Sequence, residues 1–265
     1  GVMGFSILFC ALFTLDNPGA AVQGMLLPTI PAGSGTYVLS LIGGVGGSIT
    51  MLSYNYWMRE EGMRGSGFLS YVRGDVAIAY LFTAIFGSSI MLIANDAFFT
   101  AGVALRDAEA VPRMAAALGT VLGEFGRLAF SIGFWAAVFA SLLGVWQSVP
   151  YLYADFYGIV SKMSPQARVD VVKVTSTPYR LALLFISLVP IPFAFTGRPI
   201  QIVITYTIVS SLFVPFVAAT VLYLNNRVPW TEPVPKNSWI TNLLLIAILI
   251  LFAFVGFQEA AAALR

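Results

Sequence analysis

Four glycines, Gly43, Gly44, Gly46 and Gly47, loosen an apolar run that continues into Thr50, Ser53, Tyr54 and Asn55. Each glycine costs roughly 1 kcal/mol of helix propensity, so a helix through this stretch is expected to break. Broken backbone at membrane depth is tolerated only where protein buries it or where it lines a cavity. There it exposes carbonyl oxygens. Carbonyls at Gly46 and Gly47, completed by side-chain oxygens from the polar residues that follow, make the oxygen set a hard cation takes. The competing reading is a glycine-rich helix packed tightly against a neighbour through its small residues.

Other polar residues carry weaker signals. Gln147, beside Trp146 and followed by Ser148 and Pro150, either lines an ion path or hydrogen-bonds a neighbouring helix. Asp155 lies about two turns further on and is expected to be a vestibule carboxylate rather than a midplane ligand. Asn95-Asp96 is expected to cap a turn, and Glu124 and Arg127 stand at the spacing of a surface ion pair. Asp16-Asn17-Pro18-Gly19 reads as a turn. There is no histidine and only one cysteine, Cys10, so no His/Cys metal cage or disulfide framework is available. No HExxH, GxSxG or P-loop pattern occurs, and an enzyme is not expected.

The elements that must hold these residues are membrane spans. Hydrophobic residues make up 58% of the chain and charged ones 10%, with a mean hydropathy of +0.87. Soluble domains run near 25% charged. The apolar runs do not alternate, which excludes a β-barrel. Seven helices are expected, the first partial. They are residues 1–15, Gly35–Met58, Asp75–Phe99, Phe125–Tyr157, Pro178–Phe195, Ile200–Leu224 and Trp239–Phe257. Pro190 and Pro192 should end or kink the fifth. Residues 16–34 read as a polar, proline-containing connection, and Val111–Leu122 as an amphipathic segment lying along the surface.

Nine of the fourteen Lys and Arg residues fall in loops 59–74, 161–180 and 225–237, which the positive-inside rule places in the cytoplasm. Gly1 opens directly into an apolar run without a basic flank, so the chain is expected to start inside a transmembrane helix.

Three motifs in order resemble one family. Leu26-Leu27-Pro28-Thr29-Ile30-Pro31 followed by Gly46-Gly47-Ser48-Ile49-Thr50-Met51 resembles the approach to and centre of the sixth helix of the NRAMP divalent-metal transporters. Gln147-Ser148 is similar to the Gln-Ser of the eighth, and Ser211-Leu212-Phe213-Val214-Pro215-Phe216 to the tenth. GGVGGSITMLSYNYWMREEG and GVWQSVPYLYADF look like a divergent bacterial branch. The resemblance implies an all-α, polytopic, LeuT-like inverted-repeat bundle. It implies one transporter domain over 1–265, lacking the first four helices and part of the fifth, and hence only half of the metal site. Taken alone, the chain is expected not to transport.

On this register the family's metal-binding thioether falls on Thr50 and its carbonyl donor on Gly47, with Met51 able to restore a sulfur after a one-residue shift. The family's helix-six histidine falls on Leu52, and its tenth-helix glutamine on Phe213. A hydroxyl at the thioether position suits harder cations such as Mg²⁺ or Mn²⁺, a feature similar to the NRAMP-related magnesium transporters.

The expectation is therefore divalent-cation transport by alternating access, within the Mn²⁺, Fe²⁺ and Mg²⁺ class. Gly47, Thr50 and Met51 are the metal candidates; Gly46, Ser53, Asn55 and Gln147 are the path candidates. No cofactor is expected beyond the transported ion, and no nucleic-acid partner. The setting is a bilayer, as a multi-pass protein of a bacterial plasma membrane. A LeuT-like transporter of an organic solute and a membrane assembly subunit without transport are the alternatives.

Overall fold

The computed structural model describes residues 1–15, 17–27, 29, 34–45, 50–63, 65–100, 109–227 and 236–263. Among them every regular element is helical. Helices α1 (Val2–Phe13), α2 (Pro18–Leu26), α3 (Gly35–Val45), α4 (Thr50–Glu60) and α5 (Leu69–Ala94) come first. Then follow α6 (Ala110–Val160), α7 (Pro165–Val171), α8 (Thr177–Leu188), α9 (Ile191–Ala194), α10 (Pro199–Ser211), α11 (Phe213–Arg227) and α12 (Trp239–Ala263).

Among the described residues, five stretches are long and apolar enough to cross a membrane: Leu69–Phe98, Ala110–Val160, Thr177–Ala194, Pro199–Arg227 and Trp239–Phe257. Large apolar side chains along them, among them Phe82, Phe139, Leu243 and Phe254, point outward. That is the arrangement a lipid solvent allows. The first expected, partial span appears as α1, and the second as α3 and α4, with residues 46–49 between them outside the described residues.

The helices group into two compact units, residues 1–28 with 55–199, and residues 29–54 with 200–265. In the first unit α1 packs on α5 and α6. Ile7, Cys10 and Ala11 bury against Ile93, Met114, Ala115, Leu118 and Phe130. Lipid tails are as apolar as these side chains, so close fit rather than water exclusion holds such a cluster together.

Val111–Leu122 contributes to that cluster. Its Met114, Ala115 and Leu118 are buried against protein, so its apolar face meets α1 and α5 rather than lying along a surface. The geometry comes from Gly123, whose φ of 61° and ψ of −152° lie in a region essentially confined to glycine. The chain doubles back there. A Cβ at Gly126 would stand 2.5 Å from the Leu118 carbonyl oxygen.

Capping sets the other boundaries. Asn17 accepts the Ala20 N–H at 3.0 Å, with Pro18 in the first helical turn, so the predicted turn starts a helix within the polar, proline-containing connection. Ser164 and Ser176 cap α7 and α8 through their hydroxyl oxygens. Pro190 and Pro192 divide the fifth span, ending α8 and opening the single turn of α9.

In the second unit, Ser40 Oγ and Thr207 Oγ1 are 2.5 Å apart, joining α3 to α10. The crossing needs glycine. A Cβ at Gly43 would lie 1.8 Å from the Thr207 carbonyl oxygen. Helices α11 and α12 meet through Asn226, which donates to Asn242 Oδ1 at 2.9 Å.

The expected sixth span lies within the stretch Pro199–Arg227, in which the single residue Leu212 separates α10 from α11. Pro215 explains the break, because it has no N–H for the Ser211 carbonyl four residues earlier and its ring crowds that oxygen.

Candidate functional site

Helix α3 ends at Val45 and α4 begins at Thr50. The predicted carbonyl donors Gly46 and Gly47 fall between them, outside the described residues, and the Thr50 side chain is likewise not described. Met51 is 45% exposed, and Asn55 is exposed one turn further along. Ser53 is fully buried, and its Oγ has no hydrogen-bond partner among the described residues. Two residues along a helix turn the side chain by about 200°. Met51 and Asn55 therefore share a face, and Ser53 lies on another. The predicted path residues of α4 do not form one stripe.

The best-defined polar constellation lies in the first unit, where the far end of α4 meets α6. Tyr56 and Glu60 stand four residues apart on α4, and Tyr151 and Asp155 stand four apart on α6, so each pair occupies one helix face. The pairs are reciprocal. Tyr56 donates its hydroxyl to Asp155 Oδ2 at 2.8 Å, and Tyr151 donates its own to Glu60 Oε1. The two rings stack, with centroids 5.6 Å apart and planes 9° from parallel.

A third tyrosine meets Tyr151 edge-on. Tyr179 of α8 has its centroid 5.1 Å away and donates to the Gln147 carbonyl at 3.0 Å. All four carboxylate oxygens are engaged. Arg168 of α7 donates to Asp155 Oδ1 from Nη2 at 2.7 Å and from Nε at 3.3 Å, a fork closing on a single oxygen. Gln147 Nε2 donates to Glu60 Oε2 at 3.4 Å. Arg168 and Asp155 remain partly exposed, so water screens their pairing, and its contribution is about 1 kcal/mol at most.

Tyr56, Glu60, Tyr151, Asp155 and Arg168 line a cleft of about 460 Å³ together with Arg59, Pro165, Val169 and Val172. Two carboxylates face two guanidinium groups, so the lining is close to neutral. Asp155 lines this cleft, held by Tyr56 and Arg168, and Gln147 reaches α4 through Glu60. Sequence reasoning missed the reciprocal pairing, although the repeated Tyr-x-x-x-acid pattern in Tyr56-Trp-Met-Arg-Glu60 and Tyr151-Leu-Tyr-Ala-Asp155 was its signal. Among the described residues, no three or more His, Cys, Asp or Glu side chains gather into a metal-holding group.

Elsewhere, Glu124 and Arg127 form the expected surface pair at 2.6 Å. Ser148, beside Gln147, is fully buried with its Oγ unpartnered among the described residues. Pro150 has no N–H to offer the Trp146 carbonyl four residues before it. In the second unit, Ser211 closes α10 with its hydroxyl turned back onto the Ile208 carbonyl at 2.7 Å, directly before the break at Leu212.

No curated protein and no solved structure matches the chain. A family model does, and the match is not local to any motif. It runs over residues 1–259, from α1 into α12, through α3 and α4, the α10–α11 junction and the polar end of α6. With nearly the whole helical chain covered, it belongs to the natural resistance-associated macrophage protein-like (Nramp) family.

Proposed function

We infer that this chain, as a member of this family, takes part in divalent-metal transport as a multi-pass integral membrane protein. We propose that this chain handles hard divalent cations, Mn²⁺ and Mg²⁺ ahead of softer ions, by alternating access in a LeuT-like bundle of a bacterial plasma membrane. The metal is the cargo and no cofactor takes part. Gly47 offers a backbone carbonyl, Thr50 a hydroxyl where the family's thioether would stand, and Met51 the nearest sulfur. Gly46, Ser53, Asn55 and Gln147 line the route.

The observation carrying this reading is the family match over residues 1–259, which takes in the glycine-rich sequence Gly43–Gly47. Glycines disfavour continuous helix, and broken backbone at membrane depth turns its carbonyls toward a cavity or an ion. The Ser53 hydroxyl adds support, because a buried oxygen without a partner among the described residues costs about 1–3 kcal/mol unless something uses it. The test is reconstitution of the full-length protein in liposomes with competing Mg²⁺, Mn²⁺, Fe²⁺ and Ca²⁺, repeated with Thr50→Met. Absence of uptake for every ion rejects the reading. An ion preference unmoved by the substitution removes Thr50 from the ligand set.

A further inference from the structure

Helix α4 is shared between the two compact units: residues 50–54 group with one and residues 55–60 with the other. It makes no extensive backbone packing with any other described element. Its far half is held by side chains, and the fastening is the reciprocal pair Tyr56–Asp155 and Tyr151–Glu60. We propose that these four residues are a latch on the cytoplasmic half of α4, and that releasing α4 from α6 is a step of the transport cycle. The last clause rests on the transport reading above.

Three features distinguish a latch from a permanent joint. The bonds lie along an open cleft, so water can replace each donor and acceptor as the helices part. The surfaces left behind are tolerable in water: two carboxylates, and two tyrosine rings with polar tips. Finally, Asp155 keeps Arg168 of α7 as a partner on its other oxygen, while Glu60, whose second partner Gln147 also belongs to α6, passes to water in the cleft. Arg168, from the short helix α7, acts as a positioning residue by holding the Asp155 carboxylate toward Tyr56.

Ala154 provides the reporter. It is fully buried, and Tyr56 packs over the cluster it forms with Tyr151 and Tyr179. The native Cys10 is buried as well. Ala154→Cys in the full-length protein, reconstituted in liposomes, should react slowly with a water-soluble maleimide. Adding Tyr56→Phe and Tyr151→Phe should raise that rate at least fivefold while the apparent KM for Mn²⁺ stays within twofold. Mn²⁺ itself should change the rate at least twofold in the protein with both tyrosines intact. A rate unchanged by both the phenylalanines and Mn²⁺ overturns the latch.

Should the phenylalanine variants fail to fold, Glu60→Cys with Gln147→Cys, bridged by a short cleavable dithiol-reactive linker, tests the same claim. Mn²⁺ uptake by the bridged double variant should be at least tenfold below that of the same double variant before bridging, and reduction should restore it to that variant's own level. Full uptake through the bridged protein overturns it. If no ion is taken up under any condition yet Ala154→Cys labelling still responds to the phenylalanines, the latch stands and the transport reading falls.

Discussion

The Tyr56 hydroxyl lies 2.8 Å from Asp155 Oδ2, closing a bond between residues 99 apart in the chain. Its strength is measurable in isolation, because Asp155 keeps its guanidinium partner when the phenol is lost. Tyr56→Phe should cost about 1 kcal/mol, the ordinary net contribution of such a bond. In a double-mutant cycle with Asp155→Asn, unfolding in detergent should return a coupling energy of about 1 kcal/mol. A coupling near zero would mean that the two side chains do not meet in solution.

Gly43 tests the second unit without touching the first. An added Cβ would stand 1.8 Å from the Thr207 carbonyl and 2.8 Å from the Ser211 nitrogen, and neither backbone atom can swing aside. Overpacking of this kind costs typically 1–3 kcal/mol, so Gly43→Ala should lower the thermal midpoint by several degrees or block folding. Gly44→Ala is the control. Its Cβ would meet only the Thr207 methyl, at 3.5 Å, and helix propensity favours alanine by roughly 1 kcal/mol. The two neighbours should move the midpoint in opposite directions.

Gly123 holds the fold-back of α6 through its backbone alone. A Cβ there would meet nothing within 4 Å, so any cost of Gly123→Ala comes from its φ of 61° and ψ of −152°. Strain of this kind is worth roughly 1–3 kcal/mol. The expected result is a destabilised protein in which hydrogen exchange across residues 110–122 rises before that of α8. Unchanged exchange would show that an L-residue adopts the turn without strain.

Helical class and most span positions are legible in composition and run length, since a bilayer tolerates few alternatives to helix. What escaped was any feature that depends on a distant partner. Val111–Leu122 shows an apolar face in sequence, but the pattern cannot say whether lipid or α1 covers it. The structure places Ile7 and Cys10 there. The interruption at Leu212 had a local cause in Pro215, hidden because a proline three residues into a new helix looks the same as one inside an old helix. Glu60 reads as the polar end of a span, and its engagement by Tyr151 joins residues 91 apart. Gln147 was legible as an intramembrane polar group, and its partner was not.

Pro215→Ala tests whether the α10–α11 break serves transport. The substitution returns an N–H to the Ser211 carbonyl and removes the ring that crowds it, so the two helices should join. Stability should hold or improve, while Mn²⁺ uptake falls severalfold. A variant that is more stable and equally active would make the break incidental.

Thr50 and Met51 offer opposite chemistry at adjacent positions, and selectivity can tell them apart. A hydroxyl favours hard ions and a thioether soft ones. If Thr50 contacts the ion, Thr50→Met should move the Mg²⁺-to-Mn²⁺ uptake ratio toward Mn²⁺ by about tenfold, equivalent to about 1.4 kcal/mol. Met51→Ala should then leave that ratio in place. If a shifted register brings the sulfur inward instead, the pattern reverses: Met51→Ala weakens Mn²⁺ relative to Mg²⁺, and Thr50→Met does little. The 45% exposure of Met51, on the face of α4 that carries Asn55 rather than the buried Ser53, favours the first outcome. Competition uptake with both variants decides between the two oxygens-first and sulfur-first sites in a single series.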